Sequence, residues 1–298
     1  MRVFITGASG WIGSAAVDEL LAAGHEVVGL ARSDASAASL EARGAQVRRG
    51  DLDDLDSIRA GAEDADAVLH LANKHDFENP TATNKAERDA VEVIGNALAG
   101  SNRPFLLASG VTGVVQGRAA TENDPSPFHG PESQRGGSEN LALEQVDRGV
   151  KTVSVRFAPT VHGDGDHGFI AALVGIARET GAAGYIGDGT SRWSAVHRFD
   201  AARVVRLGLE RAPAGAILHA VAEPGVPSRD IAEAIGRGLD VPVASIAPQD
   251  AFAHFGWVGM FFGMDIPAES TTTQELLGWT PTGPTLIRDL DGGSYFRS

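Results

Sequence analysis

Over the first half of the chain, short β-branched runs alternate with longer segments that carry apolar residues at helical spacing. "VFIT", "HEVVGLAR", "AQVRR" and "DAVLHLA" read as strands, and "SAAVDELLAAG", "LDSIRAGAED" and "KAERDAVEVIGNALAG" as helices. "RPFLLAS", a helix following Arg135, and "VKTVSVRF" continue the alternation. This order predicts parallel βαβ units with right-handed crossovers, an α/β doubly wound sheet. Nearly continuous apolar runs such as "AVLHLA" suit strands covered on both faces.

After Phe157 the texture changes. "APTVHGDGDHG" and "GYIGDGTSRWSAVH" read as loops rich in Gly, His and Asp around one helix, Phe169 to Thr180. "AILHAVA" then predicts a strand, "SRDIAEAIGRGL" a helix, and the aromatic "AFAHFGWVGMFFGM" a helix or lid.

Composition narrows the function classes. The 298 residues suffice for a large core, and 43% hydrophobic with 21% charged residues is ordinary for a globular protein. A net charge of -14 repels phosphate backbones and anionic lipid, so neither nucleic acid nor membrane is expected as a partner. With no cysteine, disulfides and thiolate chemistry are excluded. "MRVFIT" already reads as a strand, which leaves no room for a leader, and a cytoplasmic location is expected.

"VFITGASGWIG" places Gly7, Gly10 and Gly13 between a strand and a helix. The first allows a tight turn, the second a close approach to a pyrophosphate, the third tight helix–strand packing. The free N–H groups of the helix start attract an anion. A plain glycine-rich turn is the alternative. In "HEVVGLARSD", Arg32 and Ser33 follow the strand where an NAD site usually has an acid, so NADP is expected, with NAD as the alternative. Asp34 lies slightly further on and blurs that choice. In "GDLDD", Asp51 is placed to meet the adenine amino group, and Asp53 and Asp54 to cap the next helix. Residues 1–159, with a returning segment near 195–221, are read as the dinucleotide-binding domain, and 160–298 as mainly substrate-binding.

"TGASGWIG", the strand ends "GDLDD" and "HLAN", "VRFAPTVHG" and "AVHRFDAARV" resemble the short-chain dehydrogenase/reductase superfamily, extended or atypical branch. The resemblance implies a Rossmann domain with a nicotinamide cofactor. It implies that Gly7, Ser9, Gly10, Trp11, Ile12, Gly13, Arg32, Asp51, Leu52, Leu71, Ala72 and Asn73 line the cofactor, with Ala158, Pro159 and Val161 beside the nicotinamide.

That family uses a Tyr to protonate the developing alkoxide and a Lys four residues later. Hydride addition leaves negative charge on oxygen, which a positioned acid must neutralise. Here the only tyrosines are Tyr185 and Tyr295 and the only lysines Lys74, Lys85 and Lys151, so no such pair exists. Alignment puts Arg135 at the Tyr position and Glu139 at the Lys position. Ser109 and Thr112 match the family's hydroxyl. His75, His129 and Arg135 are the remaining candidates for proton donor and positive charge. His162, Trp193, His197 and Trp257 are expected around the substrate. Each has a plain structural alternative, as core, cap or pocket wall, and His70 is read as a core histidine. The "HGDGDH" spacing does not support a metal site.

Three functions remain open. The first is an NADP-dependent reductase of a carbonyl or imine on a small, fairly apolar molecule. The second is a dinucleotide-binding sensor that turns nothing over, and the third a sugar-nucleotide epimerase or dehydratase. A monomer or homodimer is expected, with a small-molecule substrate as the only partner.

Overall fold

The computed structural model describes residues 1–74, Asp76 and residues 79–297. In chain order the first half holds β1 (Arg2–Thr6), α1 (Trp11–Ala22), β2 (Glu26–Ala31), α2 (Asp34–Ala42), β3 (Gln46–Arg49), α3 (Leu55–Glu63), β4 (Ala67–His70), α4 (Pro80–Leu98), β5 (Pro104–Gly110), α5 (Ser138–Leu143) and β6 (Lys151–Phe157). Next come β7 (Thr160–His162), α6 (Phe169–Thr180), β8 (Ala183–Ile186), β9 (Arg192–His197), α7 (Arg198–Arg211), β10 (Ile217–Ala220), β11 (Glu223–Pro227) and α8 (Ser228–Leu239). The chain ends with β12 (Val243–Ile246) and four short helices, α9 (Ala251–Phe255), α10 (Gly259–Phe262), α11 (Thr271–Leu277) and α12 (Leu286–Asp291).

Seven parallel strands form the central sheet in the order β10-β6-β5-β4-β1-β2-β3. The order reverses between β1 and β4, and a crevice opens there beyond the strand ends. Alternation along β1 shows how both faces are covered. Val3 and Ile5 join the core beneath α1 and α7, while Phe4 packs with Ile58, Ala90 and Ile94 of α3 and α4. All three are fully buried, each contributing about 1.5–3 kcal/mol by leaving water. Helix α7 lies against α1, where Arg206 donates to Glu19 at 2.9 Å.

The C-terminal half holds more strands than the sequence predicts, β11 and β12 among them. Its Gly-rich segments are not only loops: they hold β7, β8 and β9. Strands β11, β9 and β7 make a three-stranded sheet, and β12 pairs with β8. In the first half, α2 is an additional helix that the apolar spacing does not announce. Its start is fixed instead by the reciprocal Ser33–Ser36 capping box. Among the described residues, no helix is long and apolar enough to cross a membrane.

Candidate active site

The crevice floor is a turn that only glycine can make. Gly7 follows β1 with φ of +72°, and a Cβ there would lie 2.6 Å from the Ala72 backbone N. At Gly13 a Cβ would meet the Gly7 carbonyl oxygen at 2.0 Å. Gly10 begins α1 without any side-chain cap, and no acid occupies the first turn. The exposed start of α1 therefore presents backbone N–H groups unopposed by a carboxylate, which suits a dinucleotide pyrophosphate. Ser9 is exposed and Ile12 half-buried on this rim. Trp11 turns sideways: its indole N–H donates to the Val161 carbonyl at 2.7 Å, and the Arg198 guanidinium lies 4.1 Å over its ring. Trp11 thus joins the cradle to the segment after β6, where Ala158 is buried and Pro159 half-buried.

At the end of β2, Arg32 is exposed and has no hydrogen-bond or ion-pair partner among the described residues. Asp34 is paired with Arg49, which also donates to the Ser33 carbonyl. The Ser33 hydroxyl accepts from Ser36 N–H and is committed to capping α2. Beyond β3, one oxygen of Asp51 accepts from the backbone N–H of Asp53 and Asp54, with Leu52 half-buried beside it. Asp54 caps α3. Asp53 does not cap: its carboxylate takes Lys74 Nζ at 2.7 Å, a closer unlike charge than the helix start offers.

Beyond β4, Leu71, Ala72 and Asn73 are half-buried, and Asn73 donates to Glu87 Oε2 at 3.2 Å. Glu87, on α4, is 1% exposed, and its other oxygen accepts from Arg135 at 2.6 Å. His70 is buried as expected, with Nδ1 bonded to the Thr6 hydroxyl and Nε2 3.8 Å from Glu87. Burial pushes the Glu87 carboxyl up, but the charge of Arg135, with His70 beside it, outweighs that and holds it at about 2.

Arg135, Gly136 and Gly137 are three successive left-handed residues, with φ of 54°, 63° and 65°. A left-handed arginine costs about 1 kcal/mol. Helix α4 holds the turn with one face: Asn84 donates to the Ser133 carbonyl, Arg88 to the Gly136 carbonyl, and Glu87 takes the Arg135 side chain.

The end of β5 supplies Ser109, whose hydroxyl donates to Glu139 Oε2 at 2.8 Å. Glu139 is 5% exposed, and its Oε1 accepts from Ser154 at 3.1 Å and from Arg156 Nε at 2.8 Å. Arg156 is fully buried. The position that the resemblance reserves for a ribose-binding lysine thus holds a carboxylate tied into the interior. Ser109, Thr112, Arg135 and Glu139 line one cavity of about 20 Å³, closed on its other sides by residues including Ser126, Phe128, Gln134 and Ser138. That is room for one water, or one reacting heteroatom. Thr112 spends its hydroxyl on no described residue.

The other expected residues lie elsewhere. His129 is exposed, against Asn140 at 3.3 Å, and does not line the cavity. His75 lies outside the described residues. His162 is fully buried and bonded to Asp289 at 2.9 Å, and His197 caps α7 with its ring 5.5 Å from that of His162. Trp193 is 1% exposed, its N–H held by the Met264 carbonyl, so it packs the core and is no open pocket wall. Trp257 is 43% exposed, its ring 5.3 Å from Phe169. A broad open cleft of about 680 Å³ lies between the β8–β9 turn and α10. Arg192, which lines it, is locked in a fork to Asp265 at 3.0 and 2.8 Å.

Sequence reasoning missed Glu87, although a signal exists. In "AERDAVEVIGNAL" it shares an otherwise apolar helical stripe with Ala90, Val91, Ile94 and Leu98, a costly place for a charge without a purpose.

Residues 3–220 match the NAD dependent epimerase/dehydratase family, and the chain belongs to it. This family is NAD(P)-dependent, and distant relatives within it are reductases and dehydrogenases. An uncharacterised protein of Schizosaccharomyces pombe is 43% identical over 296 residues, 99% of this chain and 100% of its own. The 4-hydroxy-2-methyl-3-oxo-4-farnesyl-3,4-dihydroquinoline-1-oxide ketoreductase of Stigmatella aurantiaca is 27% identical over 272 residues, 86% of this chain and 80% of its own. The dTDP-glucose 4,6-dehydratase DesIV of Streptomyces venezuelae, solved with NAD and TYD bound, matches with a TM-score of 0.78. It is 20% identical and covers 99% of this chain and 96% of its own, a likeness of fold.

Proposed function

We propose that the protein is an NADP-dependent oxidoreductase that reduces a carbonyl or imine on a small, fairly apolar molecule without a Tyr/Lys pair. The observation that carries this reading is the gathering of Ser109, Thr112 and Arg135 around one heteroatom-sized cavity at the end of β5. When bound, the nicotinamide supplies the hydride. Thr112 and Ser109 bond the reacting heteroatom, and Arg135 supplies positive charge beside it. The Ser109 hydroxyl belongs to a network that Glu139, Ser154 and Arg156 fix, so its position costs little to hold when substrate arrives. NADP is favoured over NAD because Arg32 is uncommitted while the competing acid, Asp34, is neutralised by Arg49. Asn73 and the β6–β7 segment are assigned to the nicotinamide end, and the cytoplasm is the expected compartment.

A second reading, a dinucleotide-binding sensor, is favoured by one observation. Glu139 is buried in an ion pair and cannot do for a ribose what a lysine would. Sugar nucleotides are a weaker fit, because Arg192, the cation lining the broad cleft, is already neutralised by Asp265. The test is NADPH oxidation against a panel of ketones and cyclic imines. Turnover should appear with some member, and Thr112→Val and Arg135→Ala should each lower kcat at least tenfold. Tight NADPH binding with no oxidation across the panel would favour the sensor.

A further inference from the structure

The direction of one hydrogen bond restricts what this site can hold. Glu139 receives Arg156 Nε and the Ser154 hydroxyl on Oε1, inside the protein and 2.8 and 3.1 Å away. A carboxyl held by a buried guanidinium is ionised, and an ionised carboxylate only accepts. The Ser109 contact at 2.8 Å to Oε2 must therefore use the only proton that Ser109 has. Toward the cavity, Ser109 turns lone pairs alone. A ketone oxygen, which also has only lone pairs, would meet them unfavourably, and a group carrying its own hydrogen would not.

We infer that the substrate of this site is a protonated imine rather than a ketone, its N–H donating to Ser109 Oγ. This deepens the oxidoreductase reading and rests on it. Glu139 and Arg135 both line the cavity, but each is offset by its own partner, Arg156 and Glu87, and the Thr112 hydroxyl can donate or accept, so the lone pairs of Ser109 make the distinction. The step balances without an acid. The imine carbon accepts hydride from a reduced nicotinamide, the C=N π pair moves onto nitrogen, and a neutral amine forms that keeps its N–H on Ser109. No proton is transferred in the step, so a tyrosine has nothing to donate. The amine takes its proton from water after release.

Calorimetry with and without saturating NADP⁺ tests this on pairs that differ in one group, protonated 2-phenylpyrrolidine against 2-phenyltetrahydrofuran and piperidine against tetrahydropyran. The ammonium member of at least one pair should bind at least about tenfold tighter, as one charge-assisted hydrogen bond warrants. Ser109→Ala, which leaves the Glu139–Arg156 pair intact, should erase the preference. Glu139→Gln, if it folds, should reverse it, because an amide can donate to Ser109 and free the hydroxyl proton for an acceptor. Equal or absent binding for both members of every pair, or a preference that survives Ser109→Ala, overturns the inference. So does NADPH oxidation by acetophenone as fast as by 2-phenyl-1-pyrroline. Failure to bind NADP⁺ sinks the function reading instead, and the ligand preference measured without dinucleotide still judges the hydrogen-bond polarity.

Discussion

At the end of β1 the surface offered to a ligand is backbone, shaped by glycines whose Cβ atoms would collide with Ala72 and with Gly7 itself. At the end of β5 it is side chains, held by two carboxylates, Glu87 and Glu139, each satisfied by an arginine. The first region carries no net charge that must be balanced and tolerates no added atom. The second tolerates bulk at its rim but no loss of a partner, because an unpaired buried charge costs far more than a matched pair contributes. Two strand ends with only β4 between them are thus vulnerable to opposite kinds of change, one to size and the other to charge.

The sharpest way to break that contrast is Glu139→Ala. It strands Arg156 in the interior, and chemical denaturation should show a loss of about 3–5 kcal/mol. A loss below about 1 kcal/mol would mean that water reaches the pair and that the reaction edge is not charge-limited. Arg32→Ala comes next: NADPH should bind weaker by about 1.5–3 kcal/mol, roughly ten- to hundredfold, with NADH nearly unchanged. Equal losses for both would refute the NADP preference. Gly13→Ala should cost about 1–3 kcal/mol of stability and weaken both dinucleotides alike, since it adds bulk without touching a charge. Discrimination between the two coenzymes in that variant would contradict a purely steric cradle.

The smallest effect is a slope. Glu87 titrates lower in the folded protein, at about 2, than its ordinary 4.5. The stability it contributes is fully present above about pH 4.5 and is lost as the pH falls through the folded value. Urea melts of wild type and Glu87→Gln should converge as acid is added across that window, and parallel curves would show that the Arg135 contact is not electrostatic.

What was legible in the sequence is what backbone geometry dictates locally. The glycine turn, the strand–helix alternation and the helix from Phe169 to Thr180 all lie within a few residues of the pattern that announces them. Five short strands escaped: "TVH", "AGYI" and "RWSAVH" sit among glycines, aspartates and histidines that read as turns, and "EPGVP" and "VASI" are broken or bounded by prolines. The ion pairs escaped for a different reason. Arg135 meets Glu87 across 48 residues and Arg156 meets Glu139 across 17, and no local period links such positions. His129 and Trp193 show the converse, since polar or aromatic character in the right segment did not bring them to the cavity.

The left-handed run at residues 135–137 bears on how an engineer would retrofit this protein. Writing Tyr at 135 and Lys at 139, where the resemblance places that pair, would not install an acid: the new phenol would inherit a backbone angled for α4, and the new ammonium would face Arg156 with no counterion. Installing such a pair would need the whole segment rebuilt, together with the carboxylates beneath it.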